Sequence, residues 1–352
     1  MMSREEVTEK IIRKAMIEDV DLTGIDLSGA DLQGGMFENV VFRKADLSRA
    51  NLTNTRFADC DFSEAVLDET EMIKLDLQGL NFQNASLRKT KFHMSLLQGA
   101  DLRNADCTGA VFSWLFLQKA KLNGVNFTET VFEKVFLDEA DLAGTEISRA
   151  TFTKVSFNGV DMTAVKFKDA RFHKVMFRLC NLEGQDFRGM RFSNVNADRA
   201  NLKSADFTGA DVSFSNFSGA DLTKALFNNA RGLHTNFIEA DMKGASFIKA
   251  DISKSSFGYA DLSHADFTDA HMTNSVFGRA KCIRTIFKNA ECRFCDFFHA
   301  DLSGAYCTGA DFTGARLHMV VQEHTIWKDS VLDHAKGTDM EMAQAEIFEP
   351  AI

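Results

Sequence analysis

The sequence predicts a solenoid built from five-residue repeats, and three observations lead to this fold class. The residues from Leu22 to Ile347 whose numbers end in 2 or 7 are called centres below, and most of them are Leu, Phe, Ile, Met or Val. Of the 33 Phe residues, 27 lie at centres. The five-residue spacing of the centres continues without interruption, so the repeat itself defines the fold.

The first predicted element is a helix over residues 4–17. Ser3 and Glu6 have the spacing of a capping box, which satisfies free amides at a helix start. Apolar residues follow at helical spacing: Val7, Ile11, Ile12 and Met16. A solenoid must cover the open edge of its first coil, so we predict an N-terminal capping helix within residues 1–19, with a docking helix for a partner as the alternative.

The five-residue units begin at Val20, and a period of five requires a turn in every unit. The residue two before each centre is mostly small, as an inside corner demands. An Asp or Asn before the centre can hydrogen-bond the neighbouring backbone. Gly recurs two residues after the centre, where a tight turn favours positive φ: Gly24, Gly29, Gly34, Gly124, Gly144, Gly209, Gly219 and Gly304.

These units, which begin V-D-L-T-G, I-D-L-S-G, A-D-L-Q-G, resemble those of pentapeptide-repeat proteins over nearly the whole chain. The resemblance implies an all-β solenoid, a right-handed quadrilateral β-helix in which four units form one square turn. It implies about sixteen coils, regular over residues 20–317, and a rod of ~80 Å at a strand spacing of ~4.8 Å.

A turn of four units places the centres in columns and predicts two stacks of core aromatic rings. One stack contains Phe167, Phe187, Phe207, Phe227, Phe247, Phe267 and Phe287. The other contains Phe217, Phe237, Phe257, Phe277 and Phe297. We expect these rings to form the core and not a cofactor site.

Beyond Leu317 the pattern loosens, because Gln322, Trp327 and Gly337 occupy centres. Trp is too large for a standard coil and Gly is too small. We therefore predict distorted last coils and an irregular C-terminal cap over residues 318–352, in which residues 341–348 cover the end as a helical turn. Related proteins often dimerise through their C-terminal ends, which makes the segment around Trp327 a second candidate interface.

The composition limits which classes of partner and which cellular compartment are expected. The net charge of −10 disfavours direct nucleic-acid binding, which needs clustered basic residues, but permits a basic protein partner. No apolar run approaches ~18 residues and the start is not a signal peptide, so we expect no membrane contact and a cytoplasmic location, or export without a signal peptide. All seven Cys lie at inward positions, so Cys292 and Cys295 are interpreted as core residues and not as a metal or redox pair.

The sequence contains no arrangement of residues that indicates catalysis. The nine His fall at outward positions, and His318, His324 and His334 fall on different faces. A regular convex surface lacks the concave site that most enzymes use. We therefore predict no enzyme activity, no cofactor and no metal site.

Two surface features are candidate binding sites. One is an acidic face whose carboxylates precede centres in a single column: Asp101, Asp141, Asp161, Asp221, Asp241, Asp261 and Asp301. The other is apolar, although outward positions prefer polar residues: Met94, Leu96, Val111, Trp114, Phe116, Val131, Phe136 and Met176. Such a contiguous apolar surface suggests a binding site for another protein or a second copy. The alternative is that its rings lie flat and shield the backbone.

The leading functional prediction is a non-catalytic protein-interaction scaffold or adaptor. The lead-in S-R-E-E-V-T-E-K-I, followed by the D-L-x-G units, also resembles pentapeptide-repeat proteins encoded with bacterial type VI secretion machinery. The alternative follows from relatives that confer quinolone resistance, in which an acidic rod mimics DNA. That alternative is a DNA mimic that binds a type II topoisomerase, DNA gyrase. In this sequence Asp is also the repeat consensus at the acidic positions.

Overall fold

The protein is represented by a computed structural model that describes residues 2–347. Its contacts group into two compact units, Met1–Cys180 and Asn181–Ile352. Among the described residues, no helix is long and apolar enough to cross a lipid bilayer.

The first unit contains a helix followed by short parallel strands. The helix is α1 (Arg4–Ile12), and the strands are β1 (Met16–Glu18), β2 (Met36–Glu38), β3 (Arg56–Ala58), β4 (Glu71–Ile73), β5 (Lys91–His93), β6 (Val111–Phe116), β7 (Val131–Phe136), β8 (Thr151–Thr153) and β9 (Arg171–His173). Strands β1 to β3 form one sheet and β4 to β9 a second. Paired residues are one turn of four five-residue units apart, as in Ile17↔Phe37 and Phe92↔Phe112.

Parallel bridges occur at up to four points in a turn of the first unit. The first turn shows them as Met16↔Met36, Asp21↔Val41, Asp26↔Asp46 and Asp31↔Asn51. The four bridge columns give four faces, so the predicted class, a β-solenoid of pentapeptide turns, is confirmed. About sixteen coils in one body were predicted; the bridges define about eight turns within each of the two compact units.

The second unit has the same register of one turn between paired residues. It is built from isolated bridges that run from Asn181↔Asn201 to Arg316↔Lys336. The backbone therefore stays regular past residue 317, and the predicted distortion of the coils that follow is wrong up to Lys336. What changes there is burial. Phe312 is fully buried, whereas Gln322 and Leu332 are exposed, because no described residue packs over these last centres.

The core consists of the centres and the small residues two positions before them. Every centre from Leu22 to Phe312 is buried, which confirms the predicted inward positions over that span, and Leu317 is half-buried. In the second unit the rings from Phe187 to Phe287 stack 4.7–5.4 Å apart. This spacing follows from the distance between neighbouring parallel strands, about 4.8 Å.

Each five-residue unit turns at a residue with positive φ, two after the centre. Gly124 has φ +68°, a conformation that favours glycine, and a Cβ there would lie 2.6 Å from Asn104 Oδ1, so the Asn104 side chain would have to move. The same conformation occurs without glycine, for example at Lys44 (φ 57°) and Asn54 (φ 56°). The turn is therefore imposed by the packed coil around it and not by the residue alone.

Helix α1 has the predicted capping box, with the Glu6 amide donating to Ser3 Oγ and the Ser3 amide donating to Glu6 Oε2. It ends at Ile12 and not at residue 17. Lys14 adopts φ 54°, and the Ala15 amide donates to Lys10 O at 2.9 Å, which closes the helix C-terminus. Residues 16–18 instead form β1.

The apolar stripe predicted for this helix is only partly buried. Val7 is fully buried, but Ile12 is 81% exposed and Met16 lies exposed on β1. The Arg4 guanidinium donates to Ser28 O at 2.9 Å and helps to hold α1 against the first turns.

The C-terminal segment forms a helix, α2 (Met340–Ile347), where an end cap was predicted. The Met342 amide donates to Asp339 Oδ1 at 3.1 Å, which caps its N-terminus. Among the described residues its contacts lie beside His299 and His318, whereas the cap was predicted over the end of the last turn. Position 348 of the predicted cap lies outside the described residues.

All seven Cys are buried free thiols, as predicted for core residues. Burial raises the pKa of the Cys60 thiol to about 11 and that of the Cys180 and Cys307 thiols to about 12. We expect iodoacetamide at pH 8 to leave the folded chain unalkylated, because the reactive thiolate is scarce and enclosed. Mass spectrometry should show seven labels after unfolding in guanidinium. A thiol labelled within minutes in the folded chain would contradict the burial.

Candidate protein-interaction surface

The two longest strands, β6 and β7, lie side by side in the first unit. They pair in parallel along their length, from Val111↔Val131 to Phe116↔Phe136. Each strand spans two faces of its turn, whereas neighbouring strands have three residues. Phe112 and Leu115 point into the core, so the residues between them face outward.

The structure places the predicted apolar residues on adjacent turns at this position. Four are exposed: Met94 at 49%, Trp114 at 44%, Val131 at 42% and Val111 at 39%. Leu96, Phe116 and Phe136 form a continuous half-buried column linked by parallel bridges. We call these seven residues the apolar patch. Met176 lies in the same column but is separated from it by Ser156, which is 1% exposed.

The aromatic side chains of the apolar patch are held by one another and by a lysine. The Phe116 and Phe136 rings stack with centroids 5.1 Å apart and planes 12° from parallel. Lys134 Nζ lies 4.1 Å from the centroid of the Trp114 ring, a cation–π contact that the sequence analysis did not identify. The half-burial of both Phe rings agrees with partial shielding of the backbone, whereas Trp114 extends from a corner with φ 51°.

The acidic face has a structural role at every one of its predicted residues. Each of the seven Asp accepts a hydrogen bond at Oδ1 from the backbone amide two residues later, at 2.9–3.3 Å. This is the Asx-type turn contact predicted for the residue before the centre. One carboxylate oxygen of each residue is therefore committed to the solenoid turn.

Basic side chains interrupt the acidic column in both units. Lys121 lies between Asp101 and Asp141 in the bridge register, and Lys281 lies between Asp261 and Asp301. Ion pairs also form on this face: Arg103 with Asp101 at 2.7 Å, and Lys243 with Asp241 at 2.7 Å and Asp261 at 3.3 Å. The face is thus less anionic than its Asp content alone suggests.

The pKa of Asp101 shows the effect of these contacts. Burial pushes the pKa of this carboxyl upward, but hydrogen bonds from Arg103 and Gln83 outweigh it and leave the pKa below its ordinary value. The carboxylate is therefore stabilised by its neighbours in the same face. A partner would have to compete with those neighbours for it.

Histidines were predicted to face outward, and His318 does not. It is 2% exposed, because it lies beneath α2. Within the described part of the chain, one group of three side chains has the donor atoms and spacing to hold a metal ion: His299, His318 and Glu346, with ligand atoms within 4.8 Å of one another. The two His are almost one full turn apart in the chain, which was the sequence signal that could have identified this pair.

A cleft lies beside α1 in the first unit, with a volume of about 740 Å³. Its lining is mainly charged and includes Glu6, Glu9, Lys10, Arg13 and Asp19. Small-molecule sites are usually lined by apolar and aromatic side chains, so this cleft does not have the character of a substrate pocket.

Solved structures that resemble this chain include repeat proteins of low sequence identity. HetL, involved in heterocyst differentiation regulation in the cyanobacterium Nostoc sp. strain PCC 7120, is 24% identical over 68% of this chain and 88% of its own, with a TM-score of 0.24. A trypsin-treated variant of QnrB1, a plasmid-mediated fluoroquinolone resistance protein, is 20% identical over 74% of this chain and 93% of its own, with a TM-score of 0.19. TM-scores this low carry no argument about function.

The sequence comparisons give more direct evidence of the family. A search of curated protein sequences gives no match. The model described as "Pentapeptide repeats (8 copies)" matches residues 13–44, 21–57, 45–80, 56–93, 73–104, 105–144, 215–253, 255–291 and 290–320. The model described as "Pentapeptide repeat region" matches residues 130–207. These matches extend over most of the chain, and the chain belongs to the pentapeptide-repeat family.

Proposed function

We propose that this protein is a non-catalytic interaction scaffold that holds another protein through the apolar patch on β6 and β7. The observation that supports this most directly is the group of exposed apolar side chains around Trp114. Soluble proteins seldom expose such a contiguous surface without a binding role. Trp is also among the residues most enriched at the energetic centres of interfaces.

The geometry of the patch suits binding with little reorganisation. Its residues lie on paired strands, and Phe116 and Phe136 are already stacked against each other. Side chains that are ordered before binding lose less conformational entropy on association. The ammonium of Lys134, beside Trp114, and the carboxylate of Glu133 provide the polar rim that interfaces commonly have around an apolar centre.

The direct test replaces Trp114, Phe116 and Phe136 by Ser. None of the three is a centre, so we expect the fold to remain while partner capture from the native organism is lost. Circular dichroism provides the folding control, and pull-down with mass spectrometry measures capture. A matched variant replaces Phe214, Tyr259 and Phe294 by Ser; these exposed aromatic residues of the second unit should be dispensable.

Two outcomes would contradict the proposal. A folded triple variant that retains every partner would exclude the apolar patch as the contact site, and the segment around Trp327 would then be the next candidate. Light scattering supplies the other outcome. If the wild type is a dimer and the triple variant is a monomer with no lost partner, the patch binds a second copy and not another protein.

Neither of the two finer roles is favoured by a particular contact, and both stay predictions. The type VI secretion role predicts co-purification with secretion components. The gyrase role predicts that equimolar protein inhibits supercoiling or protects gyrase from quinolones. The acidic face is the surface to alter in that assay, through Asp221→Asn and Asp301→Asn. No effect of the wild type on supercoiling would exclude the gyrase role and leave the scaffold proposal unaffected.

A further inference from the structure

Three side chains from three separate chain segments meet on the side of the second unit. His299 lies on one turn, His318 on the next, and Glu346 on α2. His299 Nε2 lies 2.8 Å from Glu346 Oε2, and His318 Nε2 lies 3.5 Å from Glu346 Oε1. Both imidazoles thus direct Nε2 at the same carboxylate.

The surrounding residues fix the orientation of the His318 ring. Phe298 stacks on it, with centroids 5.3 Å apart and planes 8° from parallel, and the Arg316 guanidinium lies 4.7 Å from the Phe298 ring centroid. The Asp339 amide donates to His318 Nδ1 at 3.1 Å. These contacts fix the plane of the ring and leave Nε2, and not Nδ1, on the side of Glu346.

His318 has an unsatisfied polar atom directed into this cluster. The residue is 2% exposed, and its Nε2 makes no hydrogen bond in the structure, although Glu346 Oε1 lies 3.5 Å away. Buried polar atoms are nearly always paired, so an unpaired one needs a reason, and coordination of an ion is among the recognised reasons.

We propose that His299 Nε2, His318 Nε2 and the Glu346 carboxylate bind one divalent transition-metal ion of the zinc type. Two imidazole nitrogens with one carboxylate are a donor set typical of Zn²⁺ and its first-row neighbours, and Ca²⁺ and Mg²⁺ favour oxygen-only sites. Zn–N and Zn–O bonds of about 2.0–2.2 Å place tetrahedral ligand atoms about 3.3 Å apart. The two Nε2 atoms lie 2.8 and 3.5 Å from different oxygens of Glu346, and the ligand atoms all lie within 4.8 Å of one another, so the side chains must shift to close on an ion.

Metal binding requires both rings to present a free Nε2 lone pair. In the present geometry His318 Nδ1 accepts from the Asp339 amide, so the neutral ring carries its proton on Nε2. On binding, that proton leaves Nε2 and Nδ1 takes up a proton, which breaks the hydrogen bond from Asp339. His299 likewise exchanges its Nε2 proton for one on Nδ1. Glu346 exchanges its contacts with the two rings for a bond to the ion.

A bound ion would fasten α2 to the second unit, because one ligand belongs to α2 and two to the solenoid turns. Ala343, 5% exposed, is a buried side chain of this helix. A structural metal contributes its binding free energy to the fold that presents its ligands. The amides of α2 should therefore exchange hydrogen more slowly when the ion is present.

The test is calorimetric titration of the full-length chain, freed of metal by EDTA and dialysis, with ZnCl₂ at pH 7.5. We expect one ion per chain, and affinity at least tenfold weaker in His299→Ala and in Glu346→Gln. The matched controls are His334→Ala and Glu341→Gln, both exposed and outside the cluster, which should bind as the wild type does. CaCl₂ should give no saturable binding.

Hydrogen exchange supplies the second readout, since it reports on the helix and not on total binding. ZnCl₂ should slow exchange in α2 of the wild type and leave Glu346→Gln unchanged. Absence of saturable ZnCl₂ binding would overturn the proposal. ZnCl₂ binding that both ligand variants retain at wild-type affinity would also overturn the proposal, and would indicate that the ion binds cysteine thiols instead. Equal binding of CaCl₂ would overturn the assigned class of ion.

Discussion

Replacing Phe227 by Ala is expected to lower the free energy of unfolding by about 3–5 kcal/mol, because a fully buried ring leaves a cavity that its neighbours cannot fill. Phe227 stacks between Phe207 at 4.8 Å and Phe247 at 4.7 Å. Its edge also meets Phe217 and Phe237 of the second stack, at 6.2 and 5.8 Å. Removal of the Phe227 ring therefore eliminates contacts with both neighbours in its own stack and with two rings of the second stack.

Solenoid turns interact mainly with their neighbours, so this loss need not unfold the unit at once. Hydrogen exchange over residues 205–250, together with a denaturant curve, would locate and measure it. Phe214→Ala is the matched control, because that ring is 61% exposed and its removal should change stability by less than about 0.5 kcal/mol. A Phe227→Ala curve that overlays the wild type would show that the rings do not pack as described.

Replacing Ser255 by Ala is expected to cost about 1–3 kcal/mol, because it leaves two buried backbone groups without partners. Ser255 is 1% exposed. Its Oγ accepts from the Thr235 amide at 3.0 Å and donates to Gly232 O at 2.7 Å. The hydroxyl thus replaces a backbone contact at an inside corner, where water has no access.

Ser255→Cys provides the conservative variant. Cys295 occupies the same column, and its thiol donates to Met272 O at 3.0 Å, the carbonyl in the position equivalent to that of Gly232. We expect Cys at position 255 to recover part of the lost stability. Ser253→Ala, at a half-buried position, should cost little because water can replace its hydroxyl. If Ser255→Ala and Ser253→Ala have equal thermal midpoints, the buried hydroxyl of Ser255 stabilises the fold no more than the half-buried hydroxyl of Ser253 does.

The parts of the fold that could be predicted are those that the repeat specifies locally. The direction of each side chain follows from its position in the five-residue unit, so the burial of Phe227 and the turn contact of Asp221 were both readable from sequence. The apolar patch was also predicted, since columns follow from a turn of four units. Its binding role stays a proposal, because exposure alone names no partner.

The parts that could not be predicted depend on contacts outside the period. Helix α1 ends at Ile12 because Ile17 pairs with Phe37 in the next turn, a long-range pairing that competes with helical spacing. His318 is buried because α2 packs beside it, and no periodic rule places a helix on one face of a solenoid turn.

The bridge register constrains how the length of such a chain can change. Within the second unit, deleting four consecutive five-residue units removes one turn and leaves every later side chain in its column. Deleting a single unit keeps the centres inward but moves each later column to the next face, which would rearrange the entire surface beyond the cut. Deleting one residue turns the centres out of the core. An insertion or deletion therefore preserves a binding surface only if it adds or removes whole turns of four units. The bridge pattern from Asn181↔Asn201 onward requires this.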